Sequence, residues 1–204
     1  MSRYAYNTIS GPGSAEYKDR GSRFLASAYP AEDPKSCKAW LGEMKKLHPK
    51  ATHHCYAYRL GPEGALFRSS DAGEPSGSAG KPILAQIDRL ELTDVLVIVV
   101  RYFGGTLLGI GGLMTAYKTA AALALQTAPI VTRQIERRYR IGFQYDQMDS
   151  VLKVLRQHQG TVYRQEARLF SELEAGIPLV EEQRFLEQLQ GLQGLDIIAV
   201  ERPS

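Results

Sequence analysis

The sequence predicts an α+β protein with two domains. The run "DVLVIVVRYF" (94–103) is continuously apolar and rich in Val and Ile, which is typical of a central strand covered on both faces. After Ile130 the pattern changes, and the rest of the chain follows the order strand, helix, strand, strand, helix, strand. We therefore expect one domain at 1–131 and a second at 132–204.

The first domain alternates strands and helices. Asp33-Pro34 forms an N-cap followed by a first-turn proline, and apolar residues then recur every three or four positions until Pro49. The glycines at 61 and 64 mark a hairpin turn. The predicted strands are 22–29, 53–60, 65–70 and 94–103, and the predicted helices are 34–47, 82–89 and 113–128. The apolar face of the first helix comprises Cys37, Trp40, Leu41, Met44 and Leu47.

The second domain has the split βαβ pattern of ferredoxin-like domains. Alternating apolar residues predict a strand at 134–143, and Gly160 is placed to end a helix at 146–158. The segment 161–177 is long enough for two strands. Pro178 opens a helix at 178–190, and a strand at 195–201 closes the chain.

The bulk composition is that of an ordinary folded protein. Its 204 residues are 44% hydrophobic, and the net charge of +3 permits a nucleic-acid partner without requiring one. Cys37 and Cys55 form no disulfide framework. The N-terminus "MSRYAYNTIS" lacks the pattern of a secretory signal, and no apolar run is long enough to span a bilayer. We expect a cytoplasmic protein with no membrane partner.

Two glycine-rich stretches are candidates for one shared cleft. They are "SSDAGEPSGSAGKP" (69–82) and "RYFGGTLLGIGGL" (101–113). Backbone amides at a helix N-terminus attract anions, glycine allows close approach, and Lys81 and Arg101 add positive charge. The alternative is tight packing between strand and helix that needs small residues. The candidate glycines are Gly104, Gly105, Gly109, Gly111 and Gly112.

Asp71 and Glu74 are two carboxylates in the first stretch. They fit a cation site or a general acid and base, but we favour the alternative in which Asp71 caps a turn and Glu74 pairs with a base. On the predicted strand 53–60, His53 and Cys55 face one side and His54 the other, which disfavours a zinc site. We expect one histidine to contact the loops, Cys55 to be buried, and no metal or cofactor.

Aromatic and basic residues suggest contacts to nucleic acid. Tyr102 or its neighbour Phe103, with Arg101 close by, can stack on a base or sugar, although plain packing is equally compatible. In the second domain, Arg137, Arg138 and Arg140 form a basic strand that can face RNA. The alternative is a solvated sheet face.

Three motifs carry a resemblance to a known family. The stretches "HPKATHHCYAYRL", "SDAGEPSGSAGKPIL" and "VVRYFGGTLLGIGGLMTAYKTA" resemble the IMPACT/YigZ family in order and spacing, and "EYKDRGSRF" resembles a diverged form of its opening strand. Three positions depart from the family pattern. Ala72 stands where a second aspartate is usual, Ser78 replaces a threonine, and Thr115 replaces a base.

The resemblance implies both fold and function. It implies an N-terminal domain similar to ribosomal protein S5 domain 2, a sheet with helices on one side, and a C-terminal domain similar to domain V of elongation factor G. Eukaryotic members are regulators of translation in the stress response. We therefore expect a non-catalytic translation-associated factor that binds RNA, the ribosome or a translation-regulatory protein. The alternative is a hydrolase or phosphotransferase using Asp71, Glu74 and His53 or His54. The oligomeric state stays open.

Overall fold

The computed structural model of the protein describes residues 4–166 and 170–200. They form two compact units, one at 6–133 and the other combining 4–5 with 134–200. The sequence placed the boundary after residue 131 and assigned the first residues to the N-terminal domain. In the described residues, no helix is long and apolar enough to cross a membrane.

Residues 4–134 form ten elements. The strands are β1 (Ala5–Ile9), β2 (Gly13–Asp19), β3 (Ser22–Pro30), β4 (His53–Leu60), β5 (Leu66–Ser70), β6 (Val95–Tyr102) and β7 (Ile130–Gln134), and the helices are α1 (Pro34–Leu47), α2 (Gly80–Arg89) and α3 (Gly109–Thr127). The predicted strands and helices are confirmed. Helices α2 and α3 begin two and four residues before their predicted starts, and β1 and β7 were not predicted. The segment 16–24, which the resemblance compares with one opening strand, comprises the end of β2, a turn and the start of β3.

The first unit is built around a five-stranded antiparallel sheet. Its order is β2-β3-β6-β4-β5, so β6 is central, as its continuous apolar run predicts. Side chains alternate along β6: Val97 and Val99 pack under α2 and α3, whereas Ile98 and Val100 pack under α1. Helices therefore cover both faces of the sheet, which corrects the one-sided arrangement implied by the family resemblance.

Helix α1 begins where the sequence predicts. The Asp33 carboxylate accepts a hydrogen bond of 2.6 Å from the Ser36 amide, and Pro34 occupies the first turn. Its predicted apolar face is only partly buried. Cys37 and Met44 are in the core, whereas Trp40 and Leu47 are 39% and 70% exposed.

The described residues of the second unit form one sheet, two α-helices and a short 3₁₀ turn. Its strands are β8 (Glu136–Gln144), β9 (Thr161–Glu166), β10 (Phe170–Pro178) and β11 (Asp196–Val200), and its helices are a short 3₁₀ turn (Tyr145–Gln147), α4 (Met148–Gln157) and α5 (Glu182–Gln190). The order of strands and helices is the predicted one, but Pro178 is the last residue of β10 and does not open α5, which begins at Glu182. The sheet order is β11-β8-β10-β9, and all neighbours are antiparallel. Apolar residues from β8 and β10 pack with those of α4 and α5 into one core.

Candidate functional site

The two glycine-rich stretches meet at a cleft in the first unit. One wall comes from the loop between β5 and α2, and the other from the segment that follows β6 and enters α3. The cleft has a volume of about 410 Å³ and is lined by Thr52, His53, Glu74, Pro75, Arg101, Phe103, Leu107, Leu108, Gly109, Ile110 and Leu113. Residues of both glycine-rich stretches therefore line one cleft.

The floor of the cleft is a buried ion pair. Nη1 of Arg101 donates to Oε1 of Glu74 at 2.7 Å, and the hydroxyl of Tyr117 donates to the same oxygen at 2.7 Å. The side chains of Glu74 and Arg101 are only 3% and 6% exposed. The guanidinium carbon of Arg101 lies 5.5 Å from the ring centroids of both Phe24 and Phe103. Glu74 therefore pairs with a base, as the favoured alternative held.

Asp71 fixes the backbone of the loop. Its carboxylate accepts hydrogen bonds from the amides of Gly77, Ala79 and Gly80, at 2.8, 3.0 and 2.8 Å. Burial raises the pKa of Asp71, but these three bonds and the charge of Lys81 outweigh it and lower the pKa overall. Asp71 is thus a cap at the start of α2, and its oxygens are occupied by the chain itself.

His53 and Cys55 contact the same loop from β4. Nδ1 of His53 lies 2.9 Å from the carbonyl oxygen of Ala72, and its Nε2 lies 3.9 Å from Oε1 of Glu74. Sγ of Cys55 donates to the carbonyl of Asp71 at 3.0 Å. Burial, aided by the negative charges of Glu74 and Asp71, raises the pKa of the Cys55 thiol to about 12. The predicted histidine contact and the buried cysteine are both confirmed.

Several predicted binding residues do not line the cleft, among them His54, Tyr102 and Lys81. His54 and Tyr102 point to the opposite face of the sheet, where Tyr102 packs against the α1 core and its hydroxyl lies 3.0 Å from Nδ1 of His48. Burial lowers the pKa of His54. Lys81 is exposed on α2 and does not line the cleft. Side chains alternate along a strand, so the neighbours of Arg101 and His53 face away from them.

The glycines have different roles. A Cβ on Gly104 would lie 1.9 Å from the carbonyl carbon of Gly21, so Gly104 allows two backbones to touch. Gly105 and Gly109 have φ of +86° and +70°, which favour glycine. Tight backbone packing therefore explains why residue 104 is glycine, whereas a positive φ explains glycine at 105 and 109.

Gly111 and Gly112 lie inside α3 rather than before it. A Cβ on Gly112 would lie 3.0 Å from that of Leu108, and one on Gly111 would meet no atom within 4 Å. Helix α3 has no side-chain hydrogen bond at its N-cap residue, Leu108, and no acidic residue in its first turn. Its first amides are therefore not capped by a side chain of the described residues.

The rim of the cleft is apolar, which the sequence interpretation missed. Phe103, Leu107 and Ile110 are 47%, 83% and 60% exposed. The segment 103–117 contains no charged residue. The signal was present in the sequence, because apolar side chains between glycines on a short exposed segment have little core to enter.

The cleft offers shape and apolar surface rather than reactive groups. The alternative hypothesis required Asp71, Glu74 and a histidine to be available around a pocket. Asp71 is occupied by three amides, Glu74 by Arg101 and Tyr117, and His53 contacts a carbonyl. Within residues 4–166 and 170–200, no cluster of three His, Cys, Asp or Glu is placed to hold a metal ion.

The basic strand of the second unit is neutralised by glutamates. The three arginines on β8 each lie within 3.5 Å of a carboxylate oxygen, in the pairs Arg137–Glu182, Arg138–Glu174 and Arg140–Glu172. The guanidinium of Arg138 also covers the ring of Tyr163 at 3.8 Å. The alternative prediction, a sheet face exposed to solvent, therefore describes β8 better than a basic surface that is free to bind RNA. The partners come from β10 and α5, which are distant in sequence.

Comparison with known proteins places the chain in a family. A profile of the Impact N-terminal domain matches residues 20–125, just over half of the chain. "IMPACT family member YigZ" of Escherichia coli is 30% identical over 184 residues, which cover 88% of this chain and 90% of that protein. "IMPACT family member in pol 5'region" of Thermus thermophilus is 51% identical over 108 residues, 53% of this chain and 57% of that protein.

A solved structure shares the whole architecture. The crystal structure of a hypothetical protein superimposes with a TM-score of 0.77 at 28% identity, and the match covers 98% of this chain and 99% of that one. The family profile, the full-length bacterial relative and the cleft motifs all agree. The chain therefore belongs to the IMPACT family.

Proposed function

We propose that the protein is a non-catalytic, translation-associated factor whose cleft binds a segment of a partner protein. The observation that carries this proposal is the composition of the cleft: exposed apolar side chains form its rim, and its charges neutralise one another in the floor. Depletion of charge with enrichment of aromatic and aliphatic side chains is typical of the core of a protein–protein interface.

The same composition argues against a phosphate ligand in the cleft. Contacts to a phosphate backbone need cations that are free to approach it. Arg101 is committed to Glu74 and is buried, and Lys81 does not line the cleft. An apolar segment of a protein satisfies the rim without requiring a free charge.

The link to translation rests on the family. The resemblance of the cleft motifs to the IMPACT/YigZ pattern implies a role in translation, and the wider hypothesis included RNA and the ribosome as partners. We propose a cytoplasmic location for the same reason. The hydrolase or phosphotransferase alternative has no support, because the residues it needs are occupied by structural hydrogen bonds.

We also propose a fold relationship for each of the two units. We propose that the second unit is a ferredoxin-like domain related to domain V of elongation factor G. Its βαββαβ order and sheet order β11-β8-β10-β9 support this. For the first unit we propose a relationship to ribosomal protein S5 domain 2, with α1 as an addition on the second face of the sheet.

Co-sedimentation with purified ribosomes tests the proposed function. The unaltered protein should sediment with ribosomes or a subunit, and an apolar contact should persist at about 0.5 M salt because salt does not screen it. The double variant Leu107→Asp/Ile110→Asp removes the rim. It should abolish sedimentation at high salt, while far-UV circular dichroism stays unchanged because both side chains are exposed.

Leu66→Asp is the matched control. Leu66 is 50% exposed on β5 and does not line the cleft, so this variant should sediment like the unaltered protein. Failure of the unaltered protein to sediment at any salt would overturn the translation link. Sedimentation that is lost at high salt, or is unaffected by the rim variant, would overturn the assignment of the cleft as a protein-binding surface.

A further inference from the structure

We propose that the exposed face of α1 binds the phosphate backbone of nucleic acid, independently of the cleft. The segment 34–50 contains five lysines and one glutamate, a net charge of +4. The whole chain carries +3, so the remaining residues together carry −1. The positive charge of the protein is therefore concentrated in this segment, and it lies on the face of the sheet opposite the cleft.

The lysines of α1 share one side of the helix. At 100° per residue, Lys35, Lys38, Lys45 and Lys46 fall within an arc of about 100°, opposite the buried Cys37 and Met44. We call these four residues the lysine face. From Lys35 to Lys46 the face extends about 16 Å, at 1.5 Å per residue. A nucleic-acid strand carries one phosphate per about 3.4 Å of helix axis, so four phosphates can lie along it.

The lysine face is open to a ligand. All four lysines are exposed. Between them, Gly42 has no atom within 4 Å of the position of a Cβ, so a backbone can approach the helix closely. Lys46 forms a surface ion pair with Glu43 at 2.8 Å, with the two side chains 76% and 64% exposed. Such exposed pairs are weak and exchange readily with a competing phosphate.

The residue types identify the kind of partner. Lysine presents a compact point charge that suits phosphate, and contacts to the phosphate backbone carry no sequence information, so affinity should depend little on base sequence. A membrane-surface helix would insert an apolar face into lipid. The apolar side of α1, opposite the lysine face, instead contacts the protein: Cys37 and Met44 pack against the sheet, and the ring of Trp40 stacks on Tyr29 at 4.2 Å. Nucleic acid therefore fits the lysine face better than an anionic membrane.

Fluorescence anisotropy with the full chain tests this inference. The probes are fluorescein-labelled oligouridine of about 20 nucleotides and an RNA duplex of equal length, with binding measured from about 50 to 200 mM salt. For single strands, four phosphate contacts predict a slope of about −2 to −3 for log affinity against log salt. Lys38→Glu/Lys45→Glu should lower affinity at least about tenfold and reduce the slope by about 1 to 2.

Lys81→Glu/Lys118→Glu is the matched control, because both lysines are exposed on α2 and α3 and the change in net charge is identical. It should leave affinity within about twofold of the unaltered protein. Equal losses in the two double variants, no binding at low salt, or no salt dependence would each overturn the inference. Equally tight competition by polyglutamate would also overturn it, because the face would then select an acidic protein.

Discussion

Oε1 of Glu74 lies 2.7 Å from Nη1 of Arg101, and both side chains are almost completely buried beneath the cleft. Glu74 belongs to the loop before α2, and Arg101 belongs to the central strand. The pair therefore joins the two glycine-rich stretches, which are separated by 18 residues in the sequence. Because the two charges neutralise each other in the floor of the cleft, the exposed surface that a ligand meets is the apolar rim.

Breaking the ion pair should destabilise the first unit strongly. Glu74 accepts hydrogen bonds from Arg101 and Tyr117, and Arg101→Met removes the charged donor. The Glu74 carboxylate is then buried without a compensating charge, which costs about 3–5 kcal/mol. The single tryptophan, Trp40, lies in the first unit. Urea unfolding followed by its fluorescence should show this loss in the free energy of unfolding.

The double variant Glu74→Leu/Arg101→Met distinguishes the contribution of the two charges to stability from the contribution of side-chain packing. It removes both charges, so it should be more stable than either Arg101→Met or Glu74→Leu alone. If the loss of stability in the double variant equals the sum of the losses in the two single variants, Glu74 and Arg101 contribute independently. That result would contradict their 2.7 Å contact.

Asp71→Asn should destabilise the protein in a pH-dependent way. The charged carboxylate accepts three backbone hydrogen bonds, and their partial loss should cost about 1–2 kcal/mol at neutral pH. The pKa of Asp71 is lowered from its ordinary value of 3.8, so its contribution is complete above that value. The contribution is lost as the pH falls through the lower folded-state pKa.

The measurement is the difference in unfolding free energy between Asp71→Asn and the unaltered protein, from neutral pH down to about pH 3. The difference should be constant at neutral pH and shrink in acid. Asp88→Asn is the control, because Asp88 forms an exposed ion pair with Arg59 and should cost only about 0–1 kcal/mol. A difference that grows in acid would contradict the capping role.

The fold was predictable where the signal is local. The central strand β6 is recognisable from its apolar run, and α1 from the Asp33-Pro34 cap. Strand β1 pairs with β7, which is over 120 residues away, so nothing nearby in the sequence indicates it. Strand β2 lies at the sheet edge and exposes alternate polar residues, so it lacks the apolar content of a buried strand.

The site was predictable in its position but not in its chemistry. Strand alternation correctly placed His53 and Cys55 on one face and His54 on the other. The partner of Glu74 and the glutamates that neutralise Arg138 and Arg140 depend on strand order and register, which the sequence alone does not specify. The exposure of Leu107 and Ile110 has a different explanation: its signal is local, because both residues lie between glycines on a short segment, and the sequence interpretation missed it.

Both cysteines should resist alkylation in the folded protein. Burial raises the pKa of Cys37 and Cys55 to about 12, and the thiolate is the reactive form. With iodoacetamide at about pH 8, mass spectrometry should find both thiols unmodified after a time that labels them fully in urea. Rapid labelling of Cys55 alone in the folded protein would show an accessible thiol and would contradict its burial beneath the loop before α2.

Ala72→Gly should stabilise the protein, whereas replacing alanine by glycine normally destabilises a protein. Ala72 has φ of +45°, in the left-handed region that costs a residue with a Cβ about 1–2 kcal/mol. Glycine removes this strain, and the backbone carbonyl that contacts His53 is kept. The expected net gain in unfolding free energy is up to about 1 kcal/mol, since glycine also raises the entropy of the unfolded chain.

Ala39→Gly is the matched control, because Ala39 is exposed inside α1, where glycine should cost about 1 kcal/mol. Urea unfolding of both variants should therefore give shifts of opposite sign, and a loss of equal size in both would show that the backbone at Ala72 is not strained.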